Sequence, residues 1–340
     1  MIKYDFCNYN LDKKNIAGFD LDLTLIKTVS GKKFPVDEND WTWMYPCVPY
    51  VLKNIPDTFA IVIFSNQLGI SRGKTSADHI RKKCKQIFEK LEIPLLFVFA
   101  SKDDKYRKPR IGMWKDLLKF GLKKRGSFYV GDAAGRQKDH SDVDRKFAYN
   151  CDIRFMTPEY YFNVNNDEEP WDYSGYKLDR IIPEKIPDIN LNEKTVIFVK
   201  GLPVSGKSHL VNKLVDKLEN IDAIKKSDIG KSIDNIKETN KNFIIEGLFY
   251  KESQIQEIID FFQKNSQDKV KFILIKVMTD EKLSFHLNYL RFLNNEGKLI
   301  DKIVYNTYKK YNKDLNFETF DEIIEYHPSI DKNVNKYFLY

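Results

Sequence analysis

The chain has 340 residues, 42% hydrophobic and 31% charged, with 24 Phe and 19 Tyr, which excludes general disorder and fits a globular protein of about two domains. No apolar run approaches the ~20 residues of a bilayer-spanning helix, Met1-Ile2-Lys3-Tyr4-Asp5 lacks the features of a signal peptide, and Cys7, Cys47, Cys84 and Cys151 have no metal-ligand spacing, so an intracellular protein with free thiols is expected. The net charge of +7 suits a polyanionic partner such as nucleic acid without requiring one.

The first element is the apolar run Ile16-Ala17-Gly18, which leads through Phe19 into Asp20-Leu21-Asp22-Leu23-Thr24-Leu25. Two carboxylates spaced i, i+2 at a buried strand end make an acidic site. One is able to attack phosphorus, the other to move a proton, and together they are able to hold Mg²⁺. The same pattern alone is also that of a strand entering a turn. A Lys/Gly turn at Gly31-Lys32-Lys33, the aromatic stretch Trp41 to Pro46 and a short helix from Pro49 to Asn54 follow.

Phe59 to Phe64 is a continuous apolar run, as in strands buried on both faces, and it ends in Ser65-Asn66-Gln67. The Ser65 hydroxyl and Asn66 amide suit phosphate oxygens. Arg72 and Lys74 follow, then helical periodicity over residues 76–92. The run Leu95 to Ala100 enters the charged loop Ser101 to Arg110, in which Pro109 restricts the chain beside Lys108. A lysine there neutralises charge on a transferring phosphoryl group. A helix from Met113 to Phe120 precedes the strand Ser127 to Val130, which ends in Gly131-Asp132-Ala133-Ala134-Gly135-Arg136, a third acidic strand end.

The order strand-DxDxT, strand-Ser, Lys-Pro, strand-GDAAGR is the motif order of haloacid dehalogenase phosphatases. Further segments resemble the phosphatase domain of bifunctional polynucleotide kinase 3′-phosphatases: Ser30-Gly31-Lys32, Phe34-Pro35, Asp40-Trp41, Arg72-Gly73-Lys74, Arg107-Lys108-Pro109, Gly112-Met113-Trp114, Val130 to Arg136, Asp144-Arg145 and Thr157-Pro158-Glu159. The resemblance covers residues 15–162. It implies Asp20 as nucleophile, Asp22 as acid and base, and Ser65 and Lys108 as grips on the phosphoryl group. It also implies Mg²⁺ held by Asp20, Asp132 and the Asp22 carbonyl, with Asp144 supporting that shell and Arg72 contacting the DNA backbone. Small-molecule phosphatases share the early motifs, but their cysteine/histidine zinc loop has no counterpart here. The interval from Asp20 to Ser65 leaves no room for a bulky lid.

Residues 163–194 lose periodicity and read as a linker or draped segment, anchored by Trp171, Tyr173 and Tyr176. Thr195 to Lys200 is a strand running into Gly201-Leu202-Pro203-Val204-Ser205-Gly206-Lys207-Ser208 and then a helix. This is a phosphate-binding loop in its required strand-loop-helix setting. Backbone N–H groups from Gly201 to Gly206, Ser205 included, cradle phosphates, Lys207 reaches the β/γ-phosphates of ATP and Ser208 holds Mg²⁺. Strands at Ile221 onward, Phe243 to Glu246 and Lys271 to Val277 follow, with helices and a last strand from Phe320 to Tyr326.

This half resembles the kinase domain of the same bifunctional enzymes, at Ser227-Asp228-Ile229-Gly230, Ile300-Asp301-Lys302, Tyr308-Lys309-Lys310 and Phe320-Asp321-Glu322-Ile323. The resemblance implies that Asp228 activates a 5′-hydroxyl and that Arg291 serves as a lid arginine. The chain departs from the family at Ser227, where an arginine is usual, at Glu246-Gly247-Leu248-Phe249 and in the lid spacing around Arg291, so a 3′-phosphatase with a degenerate ATP- and nucleic-acid-binding kinase half is the alternative reading. The expected architecture is α/β, with two doubly wound parallel-sheet domains: a phosphatase over 1–162 and a kinase over 195–340. No phosphothreonine-binding domain is expected, nor a partner recruited through one. The expected substrates are DNA strand-break termini, acted on by a monomer away from membranes.

Overall fold

Side chains alternate between the two faces of a strand, and in the N-terminal half this alternation sorts the core. The computed structural model describes residues 1–165, 169–229, 241–266, 268–312 and 318–340. It divides into one unit of Met1–Lys177 with Lys336–Tyr340 and a second of Leu178–Asn335.

The first unit contains β1 (Ile2–Asp5), β2 (Asn15–Phe19), the short pair β3 (Ile26–Lys27) and β4 (Thr42–Trp43), β5 (Phe59–Asn66), β6 (Leu96–Ala100), β7 (Lys123–Val130) and β8 (Arg154–Met156). Six strands form one sheet in the order β1-β6-β5-β2-β7-β8. Only β1 runs antiparallel to its neighbour. Ala17, Phe19, Ile61, Ile63, Phe97 and Phe99 cluster with apolar residues of α1 (Val48–Lys53) and α2 (Ala77–Leu91). Their alternates, Ile16, Val62, Phe64, Val98 and Tyr129, cluster with α3 (Gly112–Leu118) and α4 (Val143–Cys151). Each such Ile or Phe contributes about 1.5–3 kcal/mol by leaving water. Helices therefore cover both faces, and the sheet's C-terminal edge is where β2, β5 and β7 deliver their polar ends. A one-turn helix, α5 (Pro158–Tyr161), is capped by the Thr157 side chain.

In the second unit β9 (Thr195–Lys200), β10 (Ile221–Lys225), β11 (Asn242–Gly247), β12 (Lys271–Val277) and β13 (Glu322–Tyr326) form an all-parallel sheet in the order β10-β11-β9-β12-β13. Ile197 and Val199 of the central strand pack with Leu210, Val211 and Leu214 of α6 (Lys207–Lys217). Val196 and Phe198 face Ile255, Ile258, Ile259 and Phe262 of α7 (Ser253–Asn265). Helices α8 (Glu281–Leu293) and α9 (Lys302–Tyr311) precede the last strand.

The unit boundary differs from the expected division. Residues 163–177 belong with the first unit and 178–194 with the second, and residues 336–340 return to the first unit instead of staying with residues 195–335. Packing explains the first part. The Arg145 guanidinium lies 3.9 Å from the Trp171 ring, and Tyr176 is buried. The expected motif segment Ser227 to Gly230 is described only through Ile229, so Gly230 lies outside the described residues.

Candidate active sites

Asp20 is the first residue after β2, and its N–H donates to Val130 O at 2.8 Å, which ties it to the end of β7. Ser65 and Asn66 end β5, and Asp132 lies two residues beyond β7. Three adjacent strands thus deliver the expected residues to one edge. Lys108 enters from the loop after β6, next to a cis Lys108–Pro109 peptide. Its ammonium donates to Asp20 Oδ1 at 2.8 Å, Asp144 Oδ1 at 2.7 Å, the Tyr129 hydroxyl at 2.7 Å and Phe64 O at 3.0 Å. Asp144, on α4, is fully buried and also accepts from Tyr129 and from the Ala133 N–H. Gly131 makes this approach possible, since a Cβ there would stand 2.5 Å from the Asp144 carboxylate.

Asp20, Asp132 and Asp144 each offer an oxygen within 4.8 Å of the others. Three carboxylates against one ammonium leave an uncompensated negative charge away from water. Burial pushes Asp20 up to about 7 despite the opposing pull of Lys108. Burial, reinforced by Asp144 and Asp20, pushes Asp132 up to about 9. Burial alone would lower Lys108, but Asp144 and Asp20 outweigh it and hold the ammonium above its ordinary range. An all-oxygen donor set with surplus negative charge fits a hard divalent cation such as Mg²⁺. Thr24 braces the set: its hydroxyl accepts from the Asp132 N–H at 3.1 Å and donates to Asp132 Oδ1 at 3.3 Å.

Asp22 stands apart from this cluster. Its Oδ2 accepts from Gln67 Nε2 at 3.0 Å, and the same amide donates to Ser65 Oγ at 2.9 Å. Gln67 therefore links the second carboxylate to the expected phosphate-binding hydroxyl, a role that its place in Ser65-Asn66-Gln67 could have suggested. Asn66 holds the lysine loop: its amide accepts from Lys108 N at 2.9 Å and donates to Lys108 O at 3.1 Å. Tyr129 is a further participant that the residue pattern did not single out, and Thr24 gives the threonine of the DxDxT motif a bracing role. Arg136 binds Asp139 and Glu159, which fixes the turn after Asp132. Arg72 is exposed on the loop beyond β5.

In the second unit the loop between β9 and α6 has the shape its glycines permit. Gly206 sits at φ 94°, and a Cβ on Gly201 would meet Ser205 Oγ at 2.8 Å and Val277 at 3.0 Å. Ser205 Oγ is buried and has no hydrogen-bond partner. Lys207 turns back onto the loop, donating to Leu202 O at 2.6 Å and Gly201 O at 3.2 Å, and burial lowers its ammonium to about 8. Thr279 and Ser284 hold the loop by donating to the Ser205 and Pro203 carbonyls. An orphaned hydroxyl, a cradle that a Cβ would fill and a pocketed lysine fit a nucleotide's phosphates. Lys200, at the end of β9, is a second buried cation beside this loop, directed at Tyr308 and Asn312.

Ser208 Oγ donates to Glu246 Oε1 at 2.6 Å, which brings the end of β11 to the start of α6. Glu246 thus occupies the divergent turn as a partner of the expected metal-binding serine. Asp228 lies half-buried in the single 3-10 turn after β10, next to β11 at the same sheet edge. Arg291, the expected lid arginine, lies in the last turn of α8. Its guanidinium donates to Lys298 O at 2.7 Å and packs where a Gly297 side chain would stand.

The family model described as polynucleotide kinase 3 phosphatase matches residues 15–162. The chain is 33% identical over 309 residues to a bifunctional polynucleotide phosphatase/kinase of Schizosaccharomyces pombe, covering 87% of this chain and 75% of that protein. It is 38% identical over 171 residues to a polynucleotide 3′-phosphatase of Arabidopsis thaliana, covering 44% of this chain and 24% of that one. A polynucleotide 3′-phosphatase of Saccharomyces cerevisiae is 29% identical over 218 residues, covering 44% of this chain and 87% of its own length.

Proposed function

The chain belongs to the family of bifunctional polynucleotide phosphatase/kinases, and on that premise we propose that it heals nucleic-acid ends at two sites, one in each unit. The first unit removes 3′-phosphates and the second phosphorylates 5′-hydroxyls with ATP, leaving the 3′-hydroxyl and 5′-phosphate that ligation requires. DNA strand breaks are the proposed substrate. The observation that carries the phosphatase half is the Lys108 ammonium between Asp20 and Asp144, with Asp22 held separately by Gln67.

A two-step displacement needs one carboxylate as nucleophile and another free to carry a proton. In the proposed mechanism an Asp20 oxygen attacks the terminal phosphorus and the bond to the 3′-oxygen breaks. Asp22 gives that oxygen its proton. Asp22 then takes a proton from a water molecule, the resulting hydroxide attacks phosphorus, and Asp20 is released with inorganic phosphate. Ser65 and Lys108 steady the phosphoryl oxygens, Gln67 keeps Asp22 in register with Ser65, and Arg72 meets the backbone near the terminus. Asp20, Asp132 and the Asp22 carbonyl would hold Mg²⁺, buttressed by Asp144, and the ion would supply positive charge to the transferring group.

In the second unit Lys207, Ser205 and the loop N–H groups grip the ATP phosphates, and Ser208 with Glu246 orders the metal position. Asp228 accepts the proton of the attacking 5′-hydroxyl. Arg291, which donates to Lys298 O, is the proposed lid arginine.

The deciding experiment is a nicked DNA duplex bearing 3′-phosphate and 5′-hydroxyl ends, incubated with ATP and Mg²⁺, followed by analysis of both end groups. Loss of the 3′-phosphate and gain of a 5′-phosphate support the reading. Hydrolysis of a small phosphate ester with both DNA ends unchanged defeats it.

A further inference from the structure

The last five residues follow the kinase unit in sequence, yet they are built into the phosphatase unit. Phe338 and Leu339 are 4% and 6% exposed, and the Phe338 ring lies 4.5 Å from the Tyr173 ring and 5.2 Å from the Tyr149 ring. The backbone of this segment is gripped by three side chains of the first unit. Asn150 accepts from Phe338 N at 2.9 Å and donates to Phe338 O at 2.7 Å. Arg110 donates to Leu339 O at 3.2 Å, and Lys146 donates to Tyr340 O at 2.9 Å.

Two of these side chains, Asn150 and Arg110, also hold the loop that carries Lys108. Asn150 Nδ2 donates to Pro109 O at 2.9 Å, so both of its hydrogens are used, one on the C-terminal segment and one on the residue after Lys108. Arg110 closes the loop on itself through Arg107 O. On the other side of Lys108, Asn66 grips its N–H and C=O. Two asparagines thus hold Lys108 and Pro109, and one of them depends on Phe338 for the partner of its oxygen. Without that partner the buried Asn150 amide carries an unsatisfied acceptor and a free N–H, and its hold on Pro109 competes with rearrangement.

We propose that residues 336–340 are a positioning element of the phosphatase site, which keeps the Lys108 ammonium in register with Asp20 by completing the hydrogen bonds of Asn150 and Arg110. The proposal rests on the phosphatase reading above. These five residues need no contact with the substrate. They act through the Lys108 loop, where a misplacement on the order of 1 Å can cost about a hundredfold in rate.

The test compares the full chain with a chain ending at Asn335, using 3′-phosphate removal and 5′-phosphorylation on the same nicked duplex. Deletion is expected to lower phosphatase kcat at least about tenfold with KM little changed and the kinase rate retained. A synthetic peptide of residues 336–340 should restore kcat saturably, and a scrambled peptide should not. Should the shortened chain fail to fold, Phe338→Pro in the full chain removes the N–H donor to Asn150 while leaving Asn150 and Pro109 intact, and the same fall in kcat is expected. A shortened chain or a Phe338→Pro chain that folds and keeps wild-type phosphatase kcat overturns the proposal. So does a loss of kcat that the peptide does not reverse in a folded shortened chain. An intact chain without 3′-phosphatase activity instead defeats the parent reading.

Discussion

Replacing Lys108 with Met removes a buried ammonium that faces two carboxylates in the first unit. The lysine side chain is 1% exposed, Asp144 is fully buried and Asp20 is 15% exposed, so water screens little of what is left behind. Breaking a buried pair by deleting one partner costs about 3–5 kcal/mol. For a unit of this size that corresponds to a fall in melting temperature of roughly 6–20 °C. The sign with pH follows from the carboxylates. Asp20 and Asp132 already titrate at about 7 and about 9 with the lysine present, above their unfolded values. The native unit therefore binds more protons than the unfolded chain, and it loses stability as pH rises through that window. The variant should fare worst at high pH and recover toward pH 5, where protonation relieves the repulsion. Thermal melts followed by circular dichroism in chelator, at pH 5, 7 and 9, measure this directly. Adding Asp144→Asn should return part of the lost stability but none of the phosphatase activity. A Lys108→Met protein that melts within about 1 °C of the wild type at pH 9 refutes the reasoning, as does a double variant no more stable than the single one.

Gln67→Ala should lower 3′-phosphatase kcat by roughly tenfold, the worth of about one hydrogen bond, with the fold intact by circular dichroism. An unchanged rate would remove Gln67 from the site. Mg²⁺ should raise the melting temperature more at pH 9 than at pH 6, because Asp20 and Asp132 must lose their protons to bind it. A larger effect at pH 6 would contradict this donor set. Lys207→Ala should abolish 5′-phosphorylation and leave 3′-dephosphorylation within about twofold, since Lys207 and the residues proposed for phosphate hydrolysis lie in separate units. End-group analysis of the nicked duplex reads both.

The strand ends were legible because a strand buried on both faces is a continuous apolar run, and the first polar residue after it marks the sheet edge. Asp20, Ser65, Asp132 and the loop from Gly201 to Ser208 all fall at such ends. What escaped depends on partners far away in sequence. The burial pattern of β1 has no clean alternation, and the strand exists because β6 offers an open edge. The pairing of the Asn66 amide with Lys108, 42 residues on, has no mark in either local stretch. Asn150 and Phe338 are 188 residues apart, and no local pattern in either stretch announces their contact. Arg291 only approximates the spacing of a lid arginine, and its contact with Lys298 O depends on a local turn at Gly297 that the helical pattern does not show.

The way Lys207 rests on its own loop makes nucleotide capture a proton-coupled exchange. Its ammonium already has the Gly201 and Leu202 carbonyls as partners, so arriving phosphates replace two neutral acceptors with anionic ones and the gain is the difference between them. With its titration lowered to about 8, a fraction of free loops in mildly alkaline solution carries an uncharged amine. Phosphates favour the charged form, so binding there draws a proton from the buffer. The observed heat of binding then includes the buffer's heat of ionisation, and affinity declines as the solution becomes more alkaline.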